Sequence, residues 1–166
     1  MKKVINLLRP KTVVKFLSYW PPYLASGISV KHIDPNMISI TVEMKQRFWN
    51  TNYVGSHFGG SLYSMCDPFF MFMLLEHLKE EHIIWDQAAN IKFLRPAKGR
   101  VSVTFLIDKK LIKNLKERAL KEFSFSVELM AYIVDENNEQ VAEVTKVLYL
   151  RRKDAKTRFS KETSPS

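Results

Sequence analysis

Cysteine is almost missing from this chain of 166 residues: Cys66 stands alone, so no intramolecular disulfide can form and a reducing, cytoplasmic setting is expected. The four histidines, at 32, 57, 77 and 82, make no Cys/His set with metal-ligand spacing, and neither a metal nor an organic cofactor is expected. No apolar run reaches the ~18 residues of a membrane-spanning helix, because Asp67, Glu76 and Lys79 interrupt the best candidate, so integral membrane association is not expected. Residues 4–8 are too short for the apolar core of a secretory signal and are cut by Arg9-Pro10-Lys11, so no cleaved signal is expected. The sequence has no Gly-x-Ser-x-Gly elbow and no phosphate-binding Gly-x-x-x-x-Gly-Lys loop, which disfavours serine-triad and P-loop chemistry.

Acidic residues are absent before Asp34. Residues 1–33 carry +6, residues 151–166 carry +4 and residues 34–150 carry −1, which gives the formal +9. The body is therefore neutral and the charge sits at the ends, a pattern that reads as solvated tails rather than a nucleic-acid surface, with contact of the basic ends to nucleic-acid phosphate or an anionic lipid surface as the alternative.

What remains is enough apolar sequence, 46% of the chain, for one domain over residues 1–150 with its core at about 28–150, followed by a polar basic tail over 151–166 that is expected to be disordered. Residues 4–20 read as one or two short amphipathic helices broken near Pro10, with Val13, Val14, Phe16, Leu17 and Trp20 on one face and Pro21-Pro22 as their end. A hairpin follows: a strand to Ile33, a turn at Asp34-Pro35-Asn36, and a strand in which Ile38, Ile40, Val42 and Met44 alternate with polar residues. An apolar helix is predicted from Ser61 to about Lys79. Four more strands are predicted at 89–94, 101–107, 123–129 and 141–150, with a surface helix over 109–120 that turns Leu111, Ile112, Leu115 and Leu120 inward. A helix apolar on nearly all sides needs cover all round, and a single antiparallel sheet curling about it supplies that cover, an α+β architecture.

The chemistry concentrates between Asn52 and Leu75, NYVGSHFGGSLYSMCDPFFMFMLL. Asp67 is the one carboxylate in the apolar run. An ionised carboxylate taken from water costs several kcal/mol unless hydrogen bonds or a counter-charge compensate, and the same environment suits a general base. Pro68 cannot donate to the carbonyl of Ser64 and opposes regular helix there; the alternative to a functional Asp67 is that Pro68 kinks the helix to follow a curved sheet, with Asp67 opening to solvent at the kink. Gly55, Gly59 and Gly60 lie just before the helix, where glycines permit a close approach of ligand and the first free N–H groups of the helix can face an oxyanion, or simply punctuate the chain. His57 is an acid/base candidate or a hydrogen-bonding loop residue, and Asn52 either orients a water or forms a turn. Cys66 reads as core. Met65, Met71 and Met73 with Phe69, Phe70 and Phe72 read as core that could also accept an acyl chain.

These residues resemble the hotdog-fold thioesterase superfamily, whose pattern Asn-x-x-Gly-x-x-His-Gly-Gly, then six residues and an Asp, is matched by Asn52, Gly55, Gly59, Gly60 and Asp67. The likeness is closest to a branch of tetrameric acyl-CoA thioesterases, a domain of unknown function, whose members carry a similar HFGGSLYSMxDP string and extra amino-terminal helices. The resemblance implies a hotdog fold, with the curved sheet around one long central helix, and Asp-assisted hydrolysis of an acyl-CoA or related acyl thioester. Asp67 would be the base or nucleophile, Gly60 the oxyanion donor, and Asn52 and His57 their partners. Gly59, Phe58, Ser64 and Arg95 would contact substrate, Arg95 with Lys98 and Arg100 near the phosphates. A homodimer or dimer of dimers, with the site at the seam, is implied as well. Two residues depart from the pattern: Phe58 stands at the family's histidine position, with His57 one place early, and Pro68 follows the Asp. A non-catalytic acyl-CoA or lipid-binding module with the same fold is the alternative reading, and a dehydratase using Asp67 and His57 is another.

Overall fold

The computed structural model describes residues 9–79 and 82–154; the expectations for residues 4–8 and for most of the basic tail lie outside them. The alternating apolar positions become strands. β1 (Ile28–Ile33) and β2 (Ser39–Lys45) form the expected hairpin, with Val30 opposite Val42 and Ile28 opposite Met44. Asp34 closes its turn by accepting from the N–H of Asn36 at 2.8 Å. β3 (His82–Phe93), β4 (Arg100–Leu106), β5 (Ser124–Val134) and β6 (Gln140–Arg152) complete one antiparallel sheet in the order β1-β2-β4-β5-β6-β3. Their inward residues, among them Ile40, Val103, Phe105, Ile133 and Leu148, are wholly or almost wholly buried. Phe69 and Phe70 from the central helix both meet Phe105, with ring centroids 5.1 Å apart in each pair.

Four details differ from the sequence reading, each for a local reason. β3 runs for twelve residues rather than the six over 89–94, because its first half is an edge strand in which polar Asp86 and Gln87 break the alternation. The helix α1 (Pro10–Phe16) turns Val14 inward and leaves Phe16 and Trp20 exposed, and Pro21-Pro22 begins a second helix, α2 (Pro21–Ser26), instead of ending the first. Proline at the first helical positions gives up an N–H that has no partner there anyway. A single turn of 3-10 helix, Leu17–Tyr19, joins the two. The central helix is divided into α3 (Gly59–Ser64) and α4 (Phe69–Leu78), separated by Met65 to Pro68 with a cis Asp67–Pro68 peptide. In α5 (Lys109–Lys121), capped by Asp108, the buried stripe is Ile112, Leu115 and Ala119, and Leu120 lies outside it, one residue past the stripe.

The break in the central helix is stabilised from outside. Pro68 has no N–H for the carbonyl of Ser64, and the Tyr23 hydroxyl from α2 lies 3.2 Å from that carbonyl instead. The same hydroxyl donates to the carbonyl of Asp67. Tyr23 is buried and tilts against Phe69 with ring centroids 6.2 Å apart, so its burial pushes the phenol above its ordinary range. The amino-terminal layer thus braces the junction that carries Asp67.

Candidate active site

Asp67 leaves the end of α3 with its side chain 44% exposed, and its Oδ1 accepts from Lys146 Nζ at 2.6 Å. Lys146 is the partner of Asp67 that sequence reasoning missed. It stands on the inward face of β6 between Val144 and Leu148, and its side chain is 1% exposed. The signal was available: in VAEVTKVLYL, Lys146 occupies the position that alternation reserves for an apolar side chain. A buried ammonium needs counter-charges, and a second one is supplied from β3. Asp86 is paired with inward Leu148, shares its face, and brings Oδ1 to 3.2 Å from Lys146 Nζ. The Tyr63 hydroxyl accepts from Lys146 at 3.3 Å, and its ring lies under the ammonium with the centroid at 5.3 Å.

The electrostatics follow from this packing. Burial alone would lower the Lys146 pKa, but the hydrogen bond and charge of Asp67, and then Asp86, hold it above the ordinary lysine value. It is a fixed cation. Asp86 is raised, first by burial and also by the neighbouring Asp67, against the opposing pull of Lys146. One lysine thus serves two carboxylates, one half-open to solvent and the other set back in the sheet. Cys66, next in the chain, is buried and its thiol is pushed up, mainly by desolvation, as expected of a core cysteine.

The loop before α3 is arranged differently. Asn52 accepts from the N–H groups of Val54 and Ser56 at 3.1 and 3.0 Å and donates to the Ser56 hydroxyl and the His57 carbonyl, which makes it the centre of a local turn. His57 is buried; its Nε2–H donates to the Gly99 carbonyl at 2.9 Å, and its backbone N–H donates to Ala97 at 2.8 Å. Burial lowers its pKa, against the hydrogen bond to Gly99, which raises it. Asn52, His57, Gly59, Leu62 and the run Phe93 to Ala97 line an open pocket of about 390 Å³, and Asp67 is not part of that lining. A Cβ on Gly59 would come within 3.0 Å of the Phe93 ring, and one on Gly60 within 2.5 Å of the Phe58 ring, so the glycine pair gives two aromatic rings room beside the helix start. The N–H groups of Gly59 and Gly60 open α3 and have no acceptor within the helix. Ser64 donates to the Gly60 carbonyl at 2.8 Å. Arg95 is engaged by Asp135 at 2.8 Å and Glu139 at 2.6 Å, on the rim of the pocket.

An antiparallel sheet curled about a central helix is the hotdog fold. The chain belongs to the family described as a domain of unknown function, DUF4442, whose profile matches residues 11–150. Among solved structures it is similar to a protein of unknown function from Pseudomonas aeruginosa described as a probable thioesterase, with 23% identity over 86% of this chain and 96% of that one and a TM-score of 0.76. It also resembles a thioesterase from Haemophilus influenzae, with 14% identity, 84% and 88% of the two chains covered and a TM-score of 0.61. A variant of the phenylacetic acid degradation protein PaaI from Thermus thermophilus is 18% identical over 78% of this chain and 97% of that one, with a TM-score of 0.54. No curated protein matches the chain.

Proposed function

We propose that this protein is an acyl-CoA thioesterase-like hydrolase in which Asp67 assists attack of water on the thioester carbonyl. The observation that carries the reading is a half-exposed carboxylate anchored through one oxygen to a buried, permanently charged lysine. In this mechanism Asp67 takes a proton from water as the C–O bond forms. The N–H groups of Gly59 and Gly60 receive the developing oxyanion, and collapse breaks the C–S bond. The thiolate takes the proton back from Asp67, which leaves a carboxylic acid and free CoA thiol. Lys146 holds Asp67 oriented between turnovers through its 2.6 Å hydrogen bond. Asn52 and His57 hold the loop that shapes the pocket, and the apolar lining by Leu62, Phe93 and Leu94 receives part of the substrate. Phe58 and Ser64 flank its approach along α3, and Arg95 meets polar parts of the substrate at the rim.

The site is proposed to be completed by a second copy of the chain. Support comes from β3, which ends the sheet as a twelve-residue strand with one side unpaired. An edge of that length invites another strand. A monomer in light scattering would remove the composite site.

A second reading is favoured by the loop: Asn52, His57 and Arg95 are all engaged in bonds within the chain, as expected of a binding module that holds an acyl thioester without turning it over. Free-thiol release from short, medium and long acyl-CoAs separates the two. Asp67→Asn and Asp67→Ala at matched folded concentration should each lower turnover by about 10²-fold or more. Tight acyl-CoA binding with no thiol release in the unaltered protein would select the binding module.

A further inference from the structure

The outer side of the amino-terminal layer carries a strip of large apolar side chains that nothing among the described residues covers. Phe16 is 64% exposed, Tyr19 73%, Trp20 50% and Leu24 57%, and the strip continues into Phe48 at 90% and Trp49 at 55%. The two segments are tied together. Trp49 Nε1 donates to the Ala25 carbonyl at 3.1 Å, Asn50 donates to the Ser26 carbonyl at 2.8 Å, and Phe48 meets Trp49 edge to face at 4.9 Å. Buried Val14 and Tyr23 hold the inner side of the same helices against the core, so the aromatic rings stand on a fixed base. Contiguous exposed apolar surface of this kind marks an interaction site on a soluble domain.

The surrounding charge selects the partner. Arg9 and Lys15, on or next to α1, neighbour the strip in sequence, and Arg47 lies 5.7 Å from the Trp49 ring. No acidic residue occurs before Asp34, whose turn is met by Lys11, and the next, Glu43, is paired with Lys31. A second copy seated on this face would bring like charges together, whereas an anionic lipid surface is complementary to it. Tryptophan and tyrosine suit the headgroup layer, with an apolar ring and a polar edge. Among the described residues no helix is long and apolar enough to cross a membrane, so contact would be by side chains only. We propose that this aromatic and basic face docks the protein on an anionic membrane surface. The inner side of α2 meets Asp67 through Tyr23, so docking would hold the candidate site close to the bilayer. This inference does not depend on the hydrolase reading.

The test is co-sedimentation of the full chain with vesicles of phosphatidylcholine alone and of phosphatidylcholine mixed with phosphatidylglycerol, with tryptophan emission read in parallel. Expected are a blue shift and binding to the mixed vesicles at least about fivefold tighter than to phosphatidylcholine, weakened by salt. Trp20→Ser with Phe48→Ser should reduce binding to both compositions, and Lys15→Glu with Arg47→Glu should remove the preference for phosphatidylglycerol. All four side chains are exposed, so folding is retained and checked by circular dichroism. Absence of vesicle binding at low ionic strength, or equal binding by the unaltered protein and both variants, would overturn the proposal. It also falls if vesicles are ignored while Trp20→Ser with Phe48→Ser breaks up a larger assembly in light scattering, which would make the strip a self-interface. Thiol release is not read, so failure here leaves the hydrolase reading to its own test.

Discussion

The motif from Asn52 to Asp67 divides into two parts with different physics. In the loop part, Asn52 and His57 meet backbone and side chains of their own neighbourhood, and the result is a rigid turn beside a pocket. In the junction part, Asp67 meets Lys146 and Asp86 from two strands far away in sequence, and the result is a concentration of charge in a sheet that is otherwise apolar. A hydrogen bond between neutral neighbours contributes on the order of 1 kcal/mol and stiffens a loop. A buried cation is different, because it must hold its counter-ions for the fold to persist. The motif therefore combines a tightly bonded loop and a charged junction, and residue type alone does not tell them apart: His57 is held by a backbone carbonyl, and a lysine outside the motif pairs with Asp67.

Substitutions test this division, and the largest effect is predicted at Asp67, whose amide or alanine variant loses turnover as stated above while keeping its folded signal. Lys146→Met comes next. It leaves two carboxylates without their cation, and we predict a loss of roughly 2 kcal/mol in chemical denaturation, below the ~3–5 of a fully buried pair because Asp67 is partly exposed. Turnover should fall with it, and a stable, active Lys146→Met would show that the cluster does not serve the site. His57→Gln, which can still donate toward Gly99, should stay within a few-fold of unaltered turnover, whereas His57→Ala should cost about 1 kcal/mol of stability through the unpaired carbonyl. Loss of turnover in His57→Gln as deep as that of Asp67→Asn would reverse the division and favour acid/base work by the imidazole.

The smallest effect is in pH dependence. Burial lowers the pKa of His57 and of His77 in the folded state, so the unfolded chain binds more protons between the lowered values and the ordinary imidazole value. Stability should therefore fall as pH drops below about 6.5. His57→Gln should make that slope shallower without abolishing it, because His77 remains. Denaturation midpoints for the two proteins across that range provide the check, and identical slopes would mean that His57 is not desolvated as packed here.

Much of the sheet was legible because period two is a local property: Ile40, Val42 and Met44, or Val101, Val103 and Phe105, announce one buried face without knowledge of what covers it. Helix α5 was legible for the same reason at period 3.6, though Leu120 shows that being apolar next to a stripe is not the same as being in it. Pro21-Pro22 was ambiguous, since proline ends one helix and begins another by the same missing N–H. The first half of β3 was illegible: its polar edge residues are acceptable only because the strand has one neighbour.

Composition, periodicity and the Asn52–Asp67 spacing by themselves determined the strands, an apolar central helix with a proline at its weak point, and a lone carboxylate beside that proline. Only the tertiary structure decided what the carboxylate meets. Tyr23, 44 positions before Asp67, donates to the Asp67 carbonyl at the break in the helix, and Lys146, 79 positions after it, supplies the counter-charge. Local periodicity shows which face a side chain occupies, but a charge pair depends on which two faces the closed sheet brings together, and that is settled by chain topology and packing.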